Sequence, residues 1–156
     1  VKPAFHAYRF MNELGDETLA RTVGGVVSRD HNTGRVAAVA YNYPPEVQVS
    51  LPVTTTREAA DAIDGSGSAR ELMLDLQNLP AGAAVEIEVL DRKHGDAVAA
   101  WEAMGKPEPP NRKQTELLRK LAWDTKKEIV RADAAGRLHL ELKMPAWSLM
   151  LIKQME

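Results

Sequence analysis

The side chains that most often bind metals or act as nucleophiles are widely spaced in this sequence. No two histidines have the spacing of a metal-ligand pair; they are His6, His31, His94 and His139. His139 alternates with leucines, which is typical of the solvent face of a strand. The absence of cysteine excludes disulfides, thiol nucleophiles and thiolate metal sites. The sequence therefore predicts no metal site and no cofactor.

The serine- and glycine-containing stretches do not fit a nucleophile or a phosphate-binding loop. A nucleophilic serine is expected on a sharp turn from a strand to a helix. The stretch Gly65-Ser66-Gly67-Ser68 instead precedes a predicted strand, which indicates a flexible loop. Gly24-Gly25 is too short for a phosphate cradle and predicts a bulge at the start of a strand.

Paired carboxylates are the remaining candidates, because glycoside hydrolysis needs two of them about 5 to 10 Å apart. Glu86 and Glu88 are two positions apart on a predicted strand and therefore share one face. That face is opposite to the apolar one, so we expect both carboxylates to be solvated. Since nothing indicates a concave site that would raise one pKa, the sequence predicts no catalytic residue.

The elements that would position these residues are mostly strands. A period of two predicts eight strands, at 22–30, 34–43, 46–52, 72–76, 85–89, 127–132, 137–143 and 147–153. A helical excursion at about 95–123 interrupts them, and residues 56–63 could form two helical turns. This pattern predicts a mainly β fold, a two-layer antiparallel β-sandwich. The expected inner-face residues are Val36, Ala38 and Ala40 or their alternates, Leu72, Leu74, Leu76, Val85, Ile87, Val89, Leu138, Leu140, Leu142, Leu149 and Leu151.

The N-terminal stretch 3–14 is predicted to be a helix that begins at Pro3 and is closed by Gly15 in a left-handed conformation. Phe5 and Phe10 widen its apolar arc beyond one stripe. A helix that is apolar on two sides is expected to pack between two domains. The remaining sequence supplies only one of these domains. The chain also begins without methionine, so we expect it to be part of a longer protein.

Composition limits the possible partners. The chain has 44% hydrophobic residues, 27% charged residues and a net charge of −2, as in soluble globular proteins. Scattered basic residues argue against nucleic acid and anionic membranes as partners. No apolar run approaches the roughly 20 residues of a membrane span. The lack of cysteine fits a reducing compartment and favours a cytoplasmic location.

Aromatic residues leave a carbohydrate-binding module as an alternative. Tyr41 and Tyr43 could share one strand face, and three tryptophans are present. We expect Trp101, Trp123 and Trp147 to lie in the core or in seams rather than on a sugar-binding platform.

Three stretches, taken in order, resemble one known family. They are KPAFHAYRFMNELGD at 2–16, GRVAAVAYNY at 34–43 and VLDRKHGDAVAAWEAMGKPEPP at 89–110. They are similar to the last barrel helix, the following strand and an Arg-x-Asp-x-x-His-x-Asn-Ala-Tyr-x-x-Trp-x-x-Met-Gly-x-Pro segment of glycoside hydrolase family 39. That family includes β-xylosidases and α-L-iduronidases. In this chain Asp96 replaces a common asparagine, Val98 replaces an aromatic residue, and 54–69 resembles a local insertion.

The resemblance implies a division of the chain and the absence of catalytic residues from it. Residues 1–16 would be the last helix of an upstream (β/α)8 barrel, and 17–156 an accessory β-sandwich that stabilises it. Family members hydrolyse glycosides with retention, through an acid/base glutamate in an Asn-Glu-Pro motif and a second, nucleophilic glutamate, both on barrel strands. Here Leu14 follows Asn12-Glu13, and Pro107-Glu108-Pro109 lacks the asparagine, so no catalytic residue is carried over.

The site that the resemblance implies is one of domain docking. The residues expected to take part are Phe5, Tyr8, Phe10, His94 and Trp101. The expected partner is the barrel of the same protein, and a glycoside or oligosaccharide or a second copy of the chain could be further partners. A free carbohydrate-binding module of the β-sandwich type is the alternative function.

Overall fold

A computed structural model describes residues 2–45 and 56–156 of the chain. The helices are α1 (Pro3–Met11), α2 (Arg57–Asp64), α3 (Val98–Ala103) and α4 (Arg112–Trp123). The strands are β1 (Glu17–Thr22), β2 (Gly25–Arg29), β3 (Val36–Asn42), β4 (Arg70–Leu76), β5 (Ala84–Leu90), β6 (Lys126–Arg131), β7 (Leu138–Met144) and β8 (Ser148–Gln154). The predicted strand at 46–52 lies outside the described residues. Within them, no helix is long and apolar enough to cross a membrane.

The strands form two antiparallel sheets, which confirms the predicted β-sandwich. The larger sheet has the order β1-β2-β3-β8-β5-β6, and the smaller one pairs β4 with β7. The segment 77–83 therefore crosses from one layer to the other, because β4 and β5 belong to different sheets. The predicted helical excursion is present as α3 and α4.

The main core lies between the two sheets and is apolar. Its buried residues are Ala38, Ala40, Leu76, Leu79, Val85, Ile87, Ala132, Leu138, Leu140, Met144, Met150 and Ile152. The predicted inner positions on β3, β4, β5 and β7 are thus confirmed, since they follow the alternation of a strand. The prediction is wrong for β8, where Met150 and Ile152 face the core and Leu151 faces the other side. Alternation could not decide this strand because it is apolar on both faces.

Helix α1 covers the outer face of the six-stranded sheet. Phe10 is fully buried there against Val39, Leu90 and Leu151. The helix ends at Met11, three residues earlier than predicted.

Two glycine predictions need correction. Gly15 does not close α1 in a left-handed conformation; it allows close backbone contact, since a Cβ there would lie 2.2 Å from the carbonyl carbon of Arg29. Gly24-Gly25 forms no bulge but closes the hairpin between β1 and β2, where Thr22 pairs with Gly25. The sequence pattern missed β1 because all six of its residues are exposed, so no apolar alternation marks it.

Candidate functional site

A buried ion pair joins α1 to the outer face of the sheet. The Glu88 side chain on β5 is 1% exposed, although the sequence predicted a solvated position. The covering helix explains the difference. Arg9 donates from both terminal nitrogens to the two carboxylate oxygens of Glu88, with 2.9 Å between Nη1 and Oε2. Thr125 donates its hydroxyl to Oε1 of the same carboxylate.

The pKa of Glu88 shows that this carboxylate stays ionised. Burial by itself raises the pKa, but the hydrogen bonds from Arg9 and Thr125 and the positive charges of Arg9 and Lys127 outweigh it and lower the pKa to about 2. Such a weak base cannot accept a proton near neutral pH. We therefore assign Glu88 a structural role rather than acid/base chemistry.

His6 extends the network across the helix. Its Nε2 lies 2.7 Å from the carbonyl oxygen of Ala122 and its Nδ1 lies 3.2 Å from Nη2 of Arg9. A carbonyl only accepts and a guanidinium only donates, so His6 is the neutral tautomer with its proton on Nε2. His6 is fully buried, and α1 is thereby tied to the end of α4 as well as to β5.

The opposite face of α1 carries an exposed apolar surface. Phe5, Tyr8 and Met11 are 47%, 71% and 49% exposed. The ring of Trp123, itself largely exposed, lies edge-on to Phe5 with 5.3 Å between ring centroids. We call these four residues the α1 outer patch. Exposed apolar clusters of this kind usually mark an interaction surface.

The corner at 91–95 lies close to α1, since a Cβ at Gly95 would be 3.8 Å from Cδ2 of His6. His94 Nδ1 lies 2.8 Å from Oδ1 of Asp91, within a turn closed by backbone hydrogen bonds between the same two residues. Gly95 follows with φ of 77°, and a Cβ there would lie 2.7 Å from Leu90 and 2.9 Å from Thr125. Glycine is therefore required where the corner packs against the layer beneath α1.

Trp101 anchors α3 beyond this corner. Its indole nitrogen donates to the carbonyl oxygen of Pro107 at 3.2 Å. The side chains of His94 and Trp101 thus form hydrogen bonds within the segment 91–107, whereas Phe5 and Tyr8 present exposed surface. Among the described residues, no group of three or more histidine, aspartate or glutamate side chains could hold a metal ion.

The predicted docking residues therefore fall into three groups: the exposed face of α1, its buried face and the neighbouring corner. Sequence reasoning missed the residues that join these groups, namely His6, Arg9, Glu88 and Thr125. The available signals were a histidine and an arginine on an otherwise apolar helix, and an acidic residue between apolar ones on a strand. Neither signal identifies a partner without the fold.

Comparisons with known proteins give a consistent assignment. The model of glycosyl hydrolases family 39 matches residues 1–139. A beta-xylosidase from Geobacillus stearothermophilus is 28% identical over 152 residues, which cover 97% of this chain and 26% of that protein. The chain thus spans about a quarter of the length of that curated relative.

Solved structures show the same fold. The GH39 enzyme from Xanthomonas axonopodis pv. citri superposes with a TM-score of 0.73 at 19% identity, over 98% of this chain and 30% of that one. A monomeric beta-xylosidase from Caulobacter crescentus CB15 gives 0.68 at 22% identity, with the same coverage. The match to the family, rather than to a free sugar-binding module, also agrees with the perpendicular arrangement of Tyr43 and Trp147, which form no flat platform. On its sequence and its fold, the chain belongs to glycosyl hydrolases family 39.

Proposed function

We propose that this chain is the C-terminal accessory β-sandwich of a retaining glycoside hydrolase and that it stabilises a catalytic barrel located upstream in the same protein. Residues 1–16 would be the last barrel helix and 17–156 the accessory domain. Because the relative from Geobacillus stearothermophilus is a beta-xylosidase, we propose β-xylosides as the substrate class of the whole protein.

The observation that carries this proposal is the two-sided character of α1. One side is fixed to the sandwich by the buried Phe10 and by the Arg9–Glu88 ion pair. The other side exposes Phe5 and Tyr8 in the α1 outer patch. A surface helix of a domain that works alone would ordinarily be polar on that side. The barrel would cover the patch, and the ion pair would hold the helix in the orientation that presents it.

Tyr8→Gln tests this docking against a matched control, Met73→Gln. Tyr8 and Met73 are equally exposed, at 71% and 72%, but Met73 lies on β4, away from α1. In the 156-residue chain, each substitution is expected to change the free energy of unfolding by less than about 0.5 kcal/mol, as for other surface positions. In a protein that also carries the barrel, Tyr8→Gln should lower the unfolding temperature and Met73→Gln should not. Docking through α1 would be contradicted if Tyr8→Gln lowered the unfolding temperature of the barrel-containing protein no more than Met73→Gln does.

For His94 and Trp101 we propose a supporting role in docking. Both hold the corner that packs beside α1, so they would act by fixing that segment. His94→Ala in the barrel-containing protein should leave aryl β-xyloside turnover within a few-fold of the original rate. A large loss of rate at unchanged unfolding temperature would instead place His94 close to the reacting sugar.

A further inference from the structure

An open cleft lies beside the first turns of α1. Its volume of about 1060 Å³ is at the upper end of the roughly 300–1,000 Å³ of clefts that hold a small molecule. Its walls are α1, the ends of β3 and β8, and the segment 90–102. The apolar residues that line it from α1 and from the segment 90–102 are Pro3, Ala4, Ala7, Leu90, Val98 and Ala99. Both of these walls therefore present apolar surface.

The polar groups of the cleft are engaged within the chain. Nδ2 of Asn42 donates to three backbone carbonyl oxygens, at 2.8, 3.1 and 3.0 Å. Oδ1 of Asp96 accepts from the Val98 backbone N–H at 2.9 Å, and Glu102 forms an ion pair with Lys106 at 3.2 Å. The cleft therefore offers an occupant mainly apolar surface. Exposed apolar surface with a polar rim is typical of contact with another part of a protein.

The chain enters α1 at this cleft. Lys2 is extended, with φ of −95° and ψ of 153°, and Pro3 begins the helix. Pro3 itself lines the cleft. In the longer protein proposed above, the residues that precede Lys2 would therefore approach α1 along the rim of the cleft.

We propose that this cleft is filled by apolar side chains of the loop that directly precedes α1 in the whole protein. The inference rests on the proposed function, in which α1 is the last barrel helix and this loop is the last strand-to-helix loop of the barrel. Such loops form the catalytic face of a (β/α)8 barrel. The segment 90–102 thus positions a loop of the catalytic face.

Ala99→Trp tests the proposal because the indole would fill part of the cleft. Ala99 is exposed and lines the cleft, whereas Ala103, on the same helix and also exposed, does not line it. In the 156-residue chain, Ala99→Trp and the control Ala103→Trp should each shift the unfolding temperature by less than about 2 °C. In the barrel-containing protein, Ala99→Trp should lower the unfolding temperature further than Ala103→Trp does, because the indole competes with the loop. Turnover of an aryl β-xyloside should also fall about tenfold or more, since the loop is displaced.

Tyr8→Gln in the same barrel-containing protein separates this inference from the proposed function. If Tyr8→Gln is destabilising and Ala99→Trp has no larger effect than Ala103→Trp, docking through α1 stands and the cleft does not hold the loop. If neither Tyr8→Gln nor Ala99→Trp is destabilising, the proposed docking fails and the inference fails with it. Sedimentation of the 156-residue chain adds a third outcome: a dimer that Ala99→Trp abolishes would assign the cleft to a second copy and overturn the proposal.

Discussion

The two faces of the six-stranded sheet are buried by different means. On the inner face, β5 and β8 contribute Val85, Ile87 and Ile152 to an apolar core shared with the smaller sheet. On the outer face, the same strands contribute Glu88 and Leu151, and the covering helix adds a charged partner for the carboxylate. One face is stabilised by apolar packing alone, and the other combines packing with a buried ion pair.

The ion pair fixes the position of α1 more tightly than the apolar contacts do. Apolar side chains can often repack at modest cost, so they fix the orientation of a helix only loosely. A carboxylate at 1% exposure needs its partner in place, because an unpaired buried charge is strongly unfavourable. The ion pair therefore selects one placement of α1. Its net contribution to stability is a separate matter, since Nε of Arg9 is buried without a hydrogen-bond partner in the described structure.

The largest effect is expected when the ion pair loses its cation. Arg9→Met leaves the Glu88 carboxylate buried with only Thr125 and the more distant Lys127, whose Nζ lies 3.5 Å away. We expect a loss of about 3–5 kcal/mol in the free energy of unfolding, measured by urea denaturation. The double variant Arg9→Met/Glu88→Leu should recover most of this loss. A double variant as unstable as Arg9→Met would show that the packing of Arg9, not its charge, holds the helix.

On the inner face, Ile152→Ala should act through a cavity. The residue is 1% exposed within the main core, so we expect a loss of about 3 kcal/mol. Because no charge is involved, the loss should be the same at pH 4 and pH 7 in urea titrations. A clear dependence on pH would mean that the two faces are coupled and would weaken the comparison.

The outer face should also make stability depend on pH. The pKa of Glu88 is about 2 in the folded chain and 4.5 as its ordinary value. The unfolded chain therefore binds more protons between these values, so the contribution of Glu88 is complete above about pH 5 and is lost as the pH falls towards 2. The slope approaches about 1.4 kcal/mol per pH unit.

The matched comparison for this pH effect is wild type against Arg9→Met/Glu88→Leu, by urea denaturation from pH 3 to 6. Backbone hydrogen bonds lower the pKa of Asp30 and Asp133 as well, but both proteins keep these groups, so their effects cancel. A constant stability difference across this range would refute the assignment of Glu88 as the titrating group.

The smallest loss in the free energy of unfolding is expected for a residue that lies on neither face of the six-stranded sheet. Asn111 caps α4: its side-chain oxygen accepts from the Gln114 backbone N–H at 3.0 Å. The side-chain oxygen of Gln114 in turn accepts from the Asn111 backbone N–H at 2.9 Å. Asn111→Ala should cost about 1 kcal/mol. This value, from the same urea titrations, sets the scale of a local surface contact. A loss as large as that of Arg9→Met would show that α4 contributes to the docking of α1.

The alternation of apolar and polar residues in the sequence predicted most of the inner-face positions of the strands. Prediction from sequence failed for features that tertiary contacts determine. Alternation identified the inner residues of β5 and β7, such as Ile87 and Leu140. It could not orient β8, in which residues 149–152 are all apolar, or detect the exposed β1. The wide apolar arc of α1 indicated that the helix packs between two domains. It gave no indication that Arg9 pairs with Glu88, because these residues are 79 positions apart. Only the fold shows that pairing, which is why Glu88 was expected to be solvated.

Hydrolysis of an aryl β-xyloside tests the central claim most directly. The 156-residue chain, at confirmed mass and purity, would be compared with the same chain joined to the proposed upstream barrel. We predict no turnover by the 156 residues alone and clear turnover by the longer protein, because no residue of this chain is assigned to the chemistry. Saturable turnover by the 156 residues alone would contradict the account and require a catalytic carboxylate pair within them.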